Sequence, residues 1–108
     1  MAVSTIKGIE NATWNVASTF TYTKKNGVVY IFGKGQGQSS DVIPTGTPKT
    51  IGTLPTDCRP STEIAFPAVD RTNSNNAMLG AVKKDGTVTL VSDGANASYW
   101  SYNVSFPL

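Results

Sequence analysis

The chain has 108 residues, a formal net charge of +2, 39% hydrophobic and 15% charged residues, one cysteine and no histidine. That length suits one domain with a real core, and a charged fraction below the roughly 25% usual for soluble chains leaves the surface to Ser, Thr, Asn and Gly. The lone Cys58 excludes an internal disulfide, the missing histidine excludes a Ser-His-Asp arrangement and the commonest zinc ligand, and no run of about 18 apolar residues offers a membrane span.

Residues 1–12 read as an N-terminal extension leading towards a stalk outside this chain, and MAVSTIKGIEN holds no apolar run suited to a signal peptide. From Trp14 the pattern has period two, with Trp14, Val16, Phe20 and Tyr22 on one face. Asn15, Ala17, Thr19, Thr21 and Thr23 fall on the other, broken only at Ser18. A long strand with one buried face is predicted. Lys24, Lys25, Asn26 and Gly27 end it, Asn-Gly supplying the two positive-φ residues of a type I′ turn. Val28 to Phe32 is apolar on both faces, as expected of a central strand or of one covered by another subunit.

Gly33 to Pro48 turns to Gly, Gln, Ser, Thr and Pro and is expected to form a long surface loop, with at most a short strand near Val42 and Ile43. Lys49 to Gly52 is expected to pair briefly, before Pro55 and Pro60 exclude a central strand. Thr62 to Val69 alternates, Ile64 and Phe66 against Glu63 and Ala65, and Asp70 to Asn76 is a loop of turn formers. Ala77 to Lys83 and Thr87 to Ser92 form a hairpin around Lys84, Asp85 and Gly86, with Val88 and Leu90 facing one way. After a second turn-rich loop from Asp93 to Ala97, Trp100, Tyr102, Val104 and Phe106 oppose Ser101, Asn103 and Ser105 in a last strand. Six to eight such strands predict one all-β domain over residues 1–108, a compact antiparallel β-barrel or sandwich.

Chemistry is sparse. The acids are Glu10, Asp41, Asp57, Glu63, Asp70, Asp85 and Asp93, mostly in turns, and no pair is spaced for glycoside hydrolysis, so no catalytic residue, metal or cofactor is expected. Gly33, Gly35 and Gly37 form a GxGxG run that lacks the Lys-Ser/Thr ending and following helix of a phosphate loop, and a flexible loop is expected instead. Asn11-Ala-Thr13, Asn96-Ala-Ser98 and Asn103-Val-Ser105 match the glycosylation acceptor pattern, which carries no weight without a secretion signal. Lys24 with Lys25 and Lys83 with Lys84 read as solvated hairpin tips. No basic stripe with interleaved aromatics suggests nucleic acid.

A binding surface remains. Sugars are held by an aromatic face together with amides and carboxylates that bond their hydroxyls. Asp93, Asn96, Tyr99 and Trp100 gather such groups, and Arg71 and Asn75 would join them if both loops lie at one end. Trp100 shares the face of Tyr102 and Phe106 and is expected in the core, as is Trp14, which leaves Tyr99 the better exposed ring.

Leu54-Pro-Thr-Asp-Cys-Arg-Pro-Ser61, Glu63-Ile-Ala-Phe66, Lys84-Asp-Gly-Thr-Val-Thr-Leu90 and Trp100 with a short terminal strand, together with the Phe20 to Phe32 hairpin, resemble the head domain of Gram-positive phage receptor-binding proteins, best known from lactococcal siphophages. The resemblance implies a compact barrel, a homotrimer on a stalk joined to other tail or baseplate proteins, and a virion location at the tail tip. It also implies recognition of a host cell-wall saccharide or teichoic-acid-like polymer. The His, Asp and Trp that line the lactococcal sugar site match Leu79, Ala81 and Leu90 or Val91 here, so those roles are not carried over. A structural trimerising module and a bacterial carbohydrate-binding module are the alternative readings.

Overall fold

The computed structural model describes residues 14–108. The expected extension over 1–12, Glu10 and the Asn11-Ala-Thr13 pattern lie outside the described residues. Seven strands run β1 (Thr21–Lys25), β2 (Val28–Lys34), β3 (Lys49–Thr53), β4 (Ile64–Asp70), β5 (Ala77–Val82), β6 (Thr87–Ser92) and β7 (Trp100–Pro107). Short 3-10 turns at Ser39–Asp41 and Thr56–Cys58 are the only helical pieces among the described residues. All strand pairs are antiparallel, in the order β1-β2-β7-β4-β5-β6-β3, and the single sheet curls into a half-barrel.

Alternation builds the core. Val29, Ile31, Phe66, Met78, Val82, Val88, Leu90, Trp100, Tyr102 and Phe106 all point to the inside of the curl and are buried, with Ile43 and Leu54 closing it from the loops. Phe66 packs so tightly over Gly80 on β5 that a Cβ there would lie 2.2 Å from its ring. The predicted ranges of β6 and β7 and the phase of β4 agree with the structure. So do both hairpins: Asn26 and Gly27 adopt φ of 54° and 77°, and Gly86 adopts 91° where Lys83 enters the turn instead of β5. Pro67 is tolerated in interior β4 because β4 pairs with β7 only at Val69 with Ser101 and Asp70 with Trp100, leaving Pro67 no β7 partner.

The long first strand is corrected. Asn15 and Tyr22 exchange backbone hydrogen bonds of 2.9 and 3.1 Å, so the chain doubles back and the strand proper begins at Thr21. Phe20 and Tyr22 do pack on the core, but Val16 is 78% exposed and Trp14 lies edge-on to Phe32 on the outer face, with ring centres 5.5 Å apart. The expectation that Trp14 is core thus fails, although the ring is half-buried. The doubled-back segment is tied to the sheet by two hydroxyls: Thr21 donates to Ala17 O at 2.7 Å and Tyr102 to Thr19 O at 2.8 Å. Burial raises the Tyr102 phenol pKa well above its ordinary value, so it remains a donor.

The sheet does not zip shut. Its edges β1 and β3 meet through side chains instead, Phe20 lying against the bare backbone of Gly52 and Lys24 reaching Asp57 O at 3.1 Å.

Candidate ligand-binding loops

Three segments converge where β4 and β6 end and β5 and β7 begin. Strand phase carries Asp70, Asn76 and Ser92 to the inner side just beyond the apolar core, and all three are buried. A buried carboxamide needs every donor and acceptor paired. Asn76 achieves this: the two hydrogens of its Nδ2, one of them shared, serve three acceptors, Asp70 Oδ2 at 2.8 Å, Ser92 Oγ at 2.8 Å and Ala95 O at 2.9 Å. Its Oδ1 accepts from the Gly94 and Ala95 amides at 2.8 and 3.1 Å. The Ser92 hydroxyl also donates to Ala95 O. One side chain therefore clamps the 71–76 and 93–96 loops together.

Asp70 Oδ1 accepts from the Thr72 and Asn73 amides at 2.9 and 3.1 Å. Burial alone would raise its pKa. The bonds from Asn76, Thr72 and Asn73 outweigh that, and the carboxyl sits below its usual value.

Outside this lock stands an aromatic–cation pair. The Arg71 amide donates to Tyr99 O at 2.7 Å, its Nη2 donates to Gly35 O at 2.6 Å, and its Cζ lies 6.0 Å from the centre of the Tyr99 ring. Tyr99 is 48% exposed. Its ring rests on Gly37, where a Cβ would come within 2.4 Å of Tyr99 Cζ and Oη, at a φ of 86° that itself favours glycine.

The glycine run is thus no flexible loop. Gly35 and Gly37 donate to Trp100 O and Ser98 O at 2.8 and 3.0 Å, extending the pairing of β2 with β7, and a Cβ on Gly35 would strike the Trp100 indole at 2.4 Å. The run lets backbone lie flat on two aromatic rings. Expected surface loop 33–48 is likewise anchored at Ile43, which exchanges hydrogen bonds with Ala97.

The predicted residues separate into three groups. Arg71 and Tyr99 come together, and both are exposed. Asn75 is exposed on the same loop as Arg71. Asp93 is exposed in a different recess of about 530 Å³, beside Gly46, Ala77 and Leu79. Asn96 spends its Oδ1 on the amide and hydroxyl of Thr45, both at 3.0 Å, so it fastens a neighbouring loop. Trp100 is fully buried with its indole N–H given to Asp41 O, as its core-face position predicted, and offers no ring to a ligand.

Sequence reading missed Asn76. The signal was available: Asn76, Met78, Gly80 and Val82 share one phase, which carries a polar amide onto the core side. Elsewhere, Cys58 is buried and free, its thiol pKa raised by burial and by the adjacent Asp57. Among the described residues no three His, Cys, Asp or Glu side chains group as metal ligands. No protein-family model matches the chain, and no curated protein matches its sequence.

Proposed function

We propose that this domain is the head of a phage receptor-binding protein, at a tail fibre or baseplate, and that it grips a saccharide or teichoic-acid-like polymer of the host cell wall. The observation that supports this is the Arg71–Tyr99 pair. A half-exposed ring, held on backbone and flanked by a guanidinium, is the equipment that stacks on the C–H face of a sugar and bonds its hydroxyl or anionic substituents. The Asn76 lock supplies rigidity, so little ordering entropy is lost on binding. Asn75 is a rim contact in this reading, whereas Asp93 stands in its own recess beside Leu79. Three copies on one stalk would add weak sites by multivalency.

Binding to susceptible cell walls and purified wall polysaccharide tests the proposal. Wild-type protein is expected to bind, with Tyr99→Ala and Arg71→Ala each lowering affinity roughly tenfold or more, the size of one lost hot-spot contact. Asp93→Ala is expected to have a smaller effect. Unchanged affinity in both Tyr99→Ala and Arg71→Ala would move the site elsewhere.

A further inference from the structure

The arm that doubles back before β1 leaves a trough on the outer side of the sheet. The Lys34 amide donates to Ser18 O at 3.0 Å and the Thr21 hydroxyl holds Ala17 O, so this part of the arm is pinned at the end of β2. Gly33 permits the approach, since a Cβ there would lie 2.2 Å from Thr19 O. The exchange between Asn15 and Tyr22 pins the other end of the arm and lays Trp14 beside Phe32. Between the arm and the outward rows of β2 and β7 lies a mainly apolar cavity of about 850 Å³, inside the roughly 300–1,000 Å³ usual for small-molecule sites.

Strand register sets polar groups along this apolar wall. Lys34 stands opposite Ser101 and Phe32 opposite Asn103, in the outward phase of both strands. Elsewhere the protein spends such groups on its own fold: Asn76, Asn96, Asp70 and Lys49 all bond loops or backbone. The trough differs. Among the described residues, the Lys34 ammonium, the Ser101 hydroxyl, the Asn103 carboxamide and the Trp14 indole N–H have no hydrogen-bond or ion-pair partner. Also among the described residues, no carboxylate lines the cavity and Lys34 is its one charged group.

We infer that this trough binds a small aromatic anion, an aryl sulfonate, carboxylate or phosphate monoester, with its ring against Trp14 and Phe32 and its charge at Lys34. This goes beyond the saccharide reading and does not depend on it, since neither Arg71 nor Tyr99 lines the trough. Charge selects the sign of the ligand: a lone ammonium without a competing carboxylate attracts an anion and offers a cation no complement. Ring geometry selects its body. Trp14 and Phe32 meet edge-on with centres 5.5 Å apart and Phe32 is 46% exposed, an arrangement that a third ring extends at the same spacing. A neutral sugar fits less well, because hydroxyls laid against apolar walls lose their hydrogen bonds to water without replacement.

Titration of the full chain with 1-anilinonaphthalene-8-sulfonate, an aromatic anion that brightens when it leaves water, tests the inference. Saturable binding of one probe per chain is expected, with amide NMR shifts centred on Lys34, Ser101 and Asn103. Lys34→Gln is expected to weaken binding roughly fivefold or more, the size of one charge-assisted contact, and Phe32→Thr roughly tenfold. N-phenyl-1-naphthylamine, which has the rings without the sulfonate, is expected to bind wild type and Lys34→Gln alike. The shift map needs no variant, so it still decides the matter if Phe32→Thr loses the wild-type circular dichroism. Arg71→Ala and Tyr99→Ala are expected to leave probe binding unchanged, which separates this inference from the saccharide site. Binding that does not saturate, shifts centred elsewhere, or an affinity indifferent to Lys34→Gln but lost in Arg71→Ala would overturn it.

Discussion

The indole N–H of Trp100 donates a 2.7 Å hydrogen bond to the backbone carbonyl of Asp41, 59 residues away in sequence. Trp100 is fully buried and forms the first residue of β7, so this bond fixes the 35–41 segment over the mouth of the half-barrel and, through Gly37, seats the ring of Tyr99.

Trp100→Phe removes that donor, leaves a buried carbonyl short of a partner and opens a small cavity. Its expected cost is about 2–4 kcal/mol in urea denaturation. On the proposed saccharide reading, affinity should fall along with it, because the backing of Tyr99 loosens.

Glycine substitutions divide by what they would strike. Gly35→Ala drives a methyl into the buried Trp100 indole and is expected to cost several kcal/mol, roughly 3 or more. Gly37→Ala meets an exposed ring that can swing away but must hold a φ of 86°, so a stability loss of about 1–2 kcal/mol is expected, with a clear loss of affinity on the proposed saccharide reading. Thermal melts alongside binding curves separate the two.

Asn76→Ala strips the lock between the two loops and is expected to destabilise by about 3–4 kcal/mol, near the top of the range for single changes. Asn76→Asp keeps the shape but turns an acceptor towards Asp70 Oδ2 and Ala95 O. Its deficit should be greatest at neutral pH and shrink as pH falls into the carboxyl range, a trend that denaturant titrations at several pH values would show.

Asp70 carries a pH signature of its own. Its folded pKa is lowered from 3.8, so the folded state holds the charged form more tightly than the unfolded chain does. That stabilisation is fully present above the unfolded value and is lost as pH falls through the lower folded one. Acid unfolding monitored by circular dichroism should show this component in wild type and lack it in Asp70→Asn.

Much of the fold was legible because turn chemistry and period-two alternation coincide. Asn26-Gly27 and Asp85-Gly86 sit between alternating runs, and the aromatic row of β7 declares its inner face. Trp14 to Phe20 misled because its alternation was read across the break at Ser18, which is where the chain bends and lets Asn15 return to pair with Tyr22. The candidate site was half legible. Tyr99 followed from being out of phase with the core, and Arg71 from the loop that precedes β5. What no local pattern could disclose was the approach of Gly35 and Gly37 to rings some 60 residues on, because glycine specifies only that something is close.

The seam between β1 and β3 has a dynamic consequence. Strands β7, β4 and β5 have backbone neighbours on both sides, whereas the two rims share no backbone ladder and face each other through side chains such as Phe20 on Gly52 and Lys24 at Asp57. Amide protons along the rims should therefore exchange with solvent sooner than those of the middle strands, and warming should unlatch the curl there first while the clamped loops at the far strand ends keep their shape.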